Sequence, residues 1–206
     1  PDHALRLIEA VVNAVDVPVT LKTRLGWDAQ SLNASYVAAR AQLAGIQLVT
    51  IHGRTRCQFY KGAADWAAIA RIKQAVSIPV IANGDIVGVA SARQALALSG
   101  ADGVMIGRGA QGRPWVLAQV SSQLHGTPAP VIPTGAALVN MIGAHYEAML
   151  SFYGAGLGRK MARKHLGWYM DDAGTPADLR RAILTAPDPK TVLALLPDAI
   201  ARKLAA

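Results

Sequence analysis

Four short clusters of residues in this chain can do chemistry. The stretch IHGRTRCQFYKG, residues 51–62, sets His52, Arg54, Arg56 and Lys61 around Cys57, the single cysteine of the protein. Cations lower a thiol pKa, so the segment invites a reading as an activated nucleophile. His52 can donate a hydrogen bond or move a proton near neutral pH; the competing account is a core histidine beside solvated arginines. In TLKTR, Lys22 and Arg24 alternate, which puts both on one side of a strand. A lysine there can bond a cofactor and stabilise an anion formed during turnover, or be no more than a solvated strand-end charge. NGDI and IGRGAQGRPW supply Asn83, Gly84, Asp85, Gly107, Gly109 and Gly112 together with Arg108 and Arg113. Glycines let a backbone approach closely, and the arginines offer charge to a phosphate. Last, GRKMARKHLGWY carries Arg159 and Arg163, and Lys160 and Lys164, each pair at i, i+4. One helix face is therefore positive, a footprint for a phosphate backbone, while Trp168 and Tyr169 read either as aromatic surface or as core.

These side chains need a frame. Four apolar runs, VPVTLKT (17–23), IQLVTIHG (46–53), IPVIANG (78–84) and ADGVMIG (101–107), read as strands buried on both faces. Between them, SLNASYVAARAQLAG, ADWAAIARIKQAVS and VGVASARQALALSG read as helices, two of them stopping at Gly45 and Gly100. The order βαβαβα means parallel strands with helical crossovers. The chemistry-bearing residues follow the strands, where a (β/α)8 barrel builds its active site and an open sheet its crevice. Two successive Gly-rich turns, the second opening onto a further helix, favour the barrel, whose last two strands commonly hold phosphate. The four strands are then five to eight, the first half of the barrel is absent, and two open edges invite self-association. The expected fold is α/β: half of a TIM (β/α)8 barrel over residues 1–124, a Pro/Gly-rich linker at 125–134, and a small all-α domain at 135–206. Thr175 and Asp188 fall at helix starts in that domain, with Pro176 and Pro189 in first-turn positions.

Composition narrows the class. Of 206 residues 52% are hydrophobic, ample for a core, and the formal charge of +8 favours a polyanionic partner, nucleic acid before a membrane surface. No apolar run reaches the roughly 18 residues of a membrane span, and PDHALRLIEA reads as a helix start, not a signal peptide. One cysteine allows no internal disulfide and fits a reducing cytoplasm. The chain begins at Pro1 without Met, as a processed product or an excised fragment would.

Taken in order, TLKTRLGWD, IHGRTRCQFYKGAADW, PVIANGDI, GADGVMIGRGAQGRPW and RKHLGWY resemble the tRNA-dihydrouridine synthases, most closely their B-type bacterial branch, over nearly the whole chain. The resemblance implies FMN at the mouth of a (β/α)8 barrel, NADPH as reductant, hydride passing to C6 of a D-loop uridine in tRNA, and a cysteine protonating C5. It implies that the target base is flipped out and that the helical domain grips the tRNA. By position it implies Lys22 at the flavin ring and His52, the catalytic residue of this chain, near flavin and uracil. It places Asn83, Gly84 and Asp85 at the ribityl phosphate, Gly107 and Arg108 as a phosphate clamp, and Arg54 toward the uracil or its neighbours. Arg159, Lys160, Arg163 and Lys164 would hold the tRNA; neither a metal nor a membrane is implied. The family's cysteine lies in an asparagine-x-glycine-cysteine-proline motif that does not occur here. Cys57 occupies a variable slot and does not replace it, so the chain is expected to be the C-terminal portion of a synthase, inactive alone. The alternatives are an FMN-dependent reductase of a free pyrimidine, which needs no basic tail, and a non-catalytic RNA-binding or regulatory fragment.

Overall fold

In the computed structural model of the protein, residues 1–200 are described. The apolar runs form β1 (Thr20–Arg24), β2 (Leu48–His52), β3 (Val80–Asn83) and β4 (Gly103–Met105). All neighbours are parallel, in the order β1-β2-β3-β4. Sequential parallel strands joined by helical crossovers are the arrangement of a (β/α)8 barrel, here four strands of it. Burial differs from the expectation of strands covered on both faces. Only β2 is buried along nearly its whole length, whereas β1 and β4 are partly exposed because each has one neighbour.

Helix α1 (Asp2–Ala14) precedes the sheet; α2 (Ala34–Leu43), α3 (Ala70–Ala75) and α4 (Val89–Ser99) form the crossovers. Small residues let two of them lie close: α2 buries Ala34, Ala38 and Ala41, and α4 buries Ala92, Ala95 and Ser99, both at helical spacing. The strands' Val49, Ile51, Val80 and Ala82 complete this core with Ile69 and Ile72. Gly100 ends α4 in the left-handed region at φ 62°. ADWAAIARIKQAVS is not one helix: a 3-10 turn at Ala67–Ile69 leads into the short α3, and Val76 is already extended toward β3.

Contacts divide the chain into two units, Pro1–Gly109 with Gln119–Thr127, and Ala110–Ala118 with Pro128–Ala206. Helix α5 (Val116–His125) shares residues with both. The second unit is helical: α6 (Gly135–Ala173), α7 (Ala177–Thr185) and α8 (Pro189–Ile200). Helix α6 is not a straight rod. Gly154, at φ 75° and ψ 156°, breaks it into arms 135–153 and 155–173. The arms fold back on each other: His145 Nδ1 meets the Tyr169 hydroxyl at 3.0 Å, and a Cβ at Gly158 would lie 2.8 Å from Leu150 Cα. The result is a helical hairpin with a one-residue turn. Between the arms, Ile142, Tyr146 and Met149 pack with Ala162, Leu166 and Met170, against Ile183, Val192 and Leu196 of the last two helices. Asp188 starts α8 by accepting from the Thr191 N–H at 2.9 Å. Thr175 is not a cap; its hydroxyl donates to the Ala199 carbonyl at 2.8 Å. No described helix is long and apolar enough to cross a membrane.

Candidate active site

Strand register assembles the site. Arg24 pairs with His52, His52 with Asn83, and Asn83 with Met105, so the C-terminal ends of all four strands lie in one row. Lys22, two residues back on β1, sits opposite Thr50. His52 is 8% exposed. Its ring fixes the residue just past its strand partner: a Cβ at Gly84 would lie 2.7 Å from His52 Cδ2 and 2.8 Å from Ala64 Cβ, and Gly84 has φ +111°. Only glycine meets both demands. The Gly84 carbonyl accepts from Trp66 Nε1 at 2.8 Å, and Asn83 Nδ2 donates to the Met105 carbonyl at 2.8 Å, tying β3 to its neighbours.

Beneath this row lies Arg54, 2% exposed. Its Nη1 and Nη2 grip Asp85 bidentately at 2.9 and 2.7 Å. Nε donates to the Lys61 carbonyl at 3.2 Å and Nη2 also to the Gly62 carbonyl. Asp85, at φ 53°, receives a further bond from the Ala64 N–H at 2.8 Å. The expectation that Arg54 faces a substrate does not match this placement: all its nitrogens are engaged inside the chain. Asp85 turns its oxygens to Arg54 and Ala64 and lies 4.0 Å from Arg108, so it ties the turn after β3 to both arginines. A residue two positions beyond a strand end can point either way, and the sequence pattern does not choose.

Electrostatics follow from the crowding of cations. Burial, then Arg24, Lys22 and Arg54, push His52 down to about 4 against a smaller upward pull from Asp85. Geometry agrees: Arg54 Nη1 approaches His52 Nε2 at 3.4 Å, and a guanidinium can only donate. Nε2 is thus the bare nitrogen and Nδ1–H the donor of a ring neutral at pH 7. Lys22 is held below its ordinary value by desolvation and by Arg24. It makes no hydrogen bond or ion pair with any described residue. Burial pushes the Asp85 carboxyl up, but hydrogen bonds from Arg54 and Ala64 and the charges of Arg54 and Arg108 outweigh it and hold it below its usual range.

The loop after β2 adds a residue that the sequence pattern did not single out. Tyr60 is 51% exposed, its ring 6.3 Å from that of His52. The guanidinium of Arg24 lies over it at 5.5 Å and that of Arg108 at 4.6 Å. Arg24 is itself pinned by the carbonyls of Thr55 and Phe59, both at 2.8 Å. An aromatic within HGRTRCQFY was the available signal. Cys57 is exposed and outside the strand-end row. Of the cations flanking it, Arg54 serves Asp85 and Arg56 lies over the rings of Phe59 and Trp27 at 5.4 and 5.9 Å.

The glycines after β4 divide by what they touch. A Cβ on Gly107 meets nothing within 4 Å, leaving an open cradle beside the exposed Arg108. Gly109 and Gly112 admit protein instead: a Cβ would overlap the Ile86 carbonyl at the first and lie 2.5 Å from the Trp168 carbonyl at the second. Arg113 faces Asp172 at 3.8 Å. Of the expected phosphate pair, only Arg108 remains beside open space. In the helical unit, Lys160, Arg163 and Lys164 are exposed and make no hydrogen bond or ion pair with any described residue. Arg159 donates to the Pro187 carbonyl. Among the described residues no group of His, Cys, Asp or Glu is placed to hold a metal ion.

Comparison with known proteins follows the same lines. The family profile described as Dihydrouridine synthase (Dus) matches residues 1–205. A probable tRNA-dihydrouridine synthase of Rhodobacter capsulatus is 59% identical over 206 residues, covering 100% of this chain and 63% of that protein. The tRNA-dihydrouridine synthase B of Vibrio vulnificus is 47% identical over 182 residues, covering 88% of this chain and 56% of its own length. The chain therefore spans less than two thirds of these relatives. Among solved structures, a mandelate oxidase covers 96% of the chain at 17% identity and a TM-score of 0.34, a likeness too loose to carry an argument. With a profile running almost end to end and a relative of such identity, the chain belongs to the dihydrouridine synthase family.

Proposed function

We propose that the protein to which this chain belongs reduces a uridine in the D-loop of tRNA to 5,6-dihydrouridine, using FMN and NADPH. What supports the reading is the strand-end row, where a neutral His52 packs over Gly84, with Lys22 two residues back on β1, near enough to act on His52 by its charge and without a partner among the described residues. The residues present fit a flavin mononucleotide: Gly107 leaves room where a side chain would stand, and Arg108 next to it, 4.0 Å from Asp85, keeps an exposed guanidinium for a phosphate. When bound, the cofactor supplies hydride chemistry, replenished by NADPH and directed at C6 of the uracil ring.

The chain's own residues bind and orient. Lys22 offers a cation with no hydrogen-bond or ion-pair partner among the described residues, suited to stabilising negative charge that develops during turnover. His52 holds a proton at Nδ1 as a neutral hydrogen-bond donor and does not act as an imidazolium at pH 7. Asn83 and Gly84 set the turn that flanks the ring, while Arg54 and Asp85 fix that turn without touching substrate. Cys57 lies outside the row, and we assign the proton for C5 to a cysteine in another part of the protein. Lys160, Arg163 and Lys164 give the helical unit its electrostatic hold on tRNA.

The test uses the full-length protein, FMN, NADPH and unmodified tRNA, with dihydrouridine read by nucleoside mass spectrometry. Wild type converts the tRNA, and Lys22→Ala lowers the rate by about 100-fold. No conversion by wild type overturns the reading. Free uridine reduced as fast as tRNA replaces it with a small-molecule reductase.

A further inference from the structure

The tip of the α6 hairpin carries side chains that its fold does not require. Every residue from Ser151 to Leu157 is exposed. The turn needs only the positive φ that Gly154 provides. Yet Phe152 is 81% and Leu157 52% exposed, and Tyr153 stands edge-on to Phe152 with ring centroids 4.8 Å apart. Large apolar groups gathered in one exposed cluster mark a place where something binds.

Charge identifies what binds. No Asp or Glu occurs between Glu147 and Asp171, while Arg159, Lys160, Arg163 and Lys164 all fall in that span. At 100° per residue, Leu157, Lys160 and Lys164 share the sector opposite the buried Gly158, Ala162, Leu166 and Tyr169. Three of the four cations have no partner among the described residues. Unpaired cations along the arm that leaves a tip of exposed aromatic rings suit a polyanion that also shows π faces. A perfect duplex buries its base faces in the stack; unpaired nucleotides present both phosphate and base.

We propose that the hairpin tip is a stacking site for unpaired nucleobases of a structured RNA, with Phe152 and Tyr153 as the aromatic surface and Lys160, Arg163 and Lys164 on the adjoining phosphates. This rests on the tRNA reading above and states which part of an RNA the helical unit takes. The test compares the full-length protein with Phe152→Ala/Tyr153→Ala, with Phe152→Leu and with Lys160→Ala/Lys164→Ala. Each is titrated against a tRNA transcript, a blunt RNA duplex of similar length, and phosphatidylserine vesicles.

The aromatic double variant loses about tenfold in affinity for tRNA and nothing for duplex. Phe152→Leu, apolar but unable to stack, also weakens tRNA binding, and unchanged melting temperatures show that both variants fold. The lysine variant weakens both RNAs and lowers the salt slope by about two. Wild-type tRNA affinity in the aromatic variants, an equal loss on the duplex, or vesicle binding that alone depends on Phe152 overturns the site. A wild type that binds no tRNA overturns the tRNA reading first, and this site with it.

Discussion

A buried guanidinium is tolerable only when its donors are met, and those of Arg54 are met by Asp85 and the carbonyls of Lys61 and Gly62. Arg54→Ala takes the bidentate partner from a partly exposed Asp85, which keeps the Ala64 N–H and the nearby Arg108, and costs about 1–3 kcal/mol of stability, read from denaturant midpoints. Arg54→Lys restores the charge without the fork and recovers only part of the loss. His52 gives a pH dependence whose sign is fixed by its direction. Its folded value, about 4, lies below the ordinary 6.5, so between those values the unfolded chain binds the proton that the folded chain refuses. Stability is therefore full above pH 6.5 and falls as pH drops toward 4, by roughly 3 kcal/mol at 1.36 per unit. Asp85, held below its usual range, adds a further loss at lower pH. In His52→Gln the decline between 6.5 and 4 is flattened, as equilibrium unfolding at stepped pH measures.

At the scale of elements, strands were legible and glycines were not. The four apolar runs become the four strands, although only β2 is buried along nearly its whole length, and their register brings His52 and Asn83 side by side. Gly84, Gly107, Gly109 and Gly112 look alike in the sequence, yet one clears a histidine ring, one faces open space and two admit protein backbone. A missing Cβ records that something is close, not what it is. The helical hairpin offers a sharper case. Gly154 has φ +75° and its neighbour Gly156 has no such constraint, and neither would clash with any atom within 4 Å. Gly154→Ala thus costs about 1–2 kcal/mol through backbone strain. Gly156→Ala is neutral or stabilising by up to about 1 kcal/mol. Thermal unfolding of the two variants separates them.

For the molecule as a whole, two cores close independently, one of strands and alanine-rich helices and one within the helical unit. The family could be recognised because its motifs fall where strands end, and strand ends are set by local sequence. Arg54 and Tyr60 escaped because their roles depend on partners 31 residues away at Asp85 and far along the chain at Arg108, which only the folded chain brings near. The turn at Gly154 carries one last consequence. With no loop to order, the backbone that carries Phe152 and Tyr153 is set before anything meets it. An RNA that docks there spends little entropy on arrival. Encounter is then governed by the lysines and lifetime by the rings, so losing the rings shortens residence and leaves the rate of arrival nearly as it was.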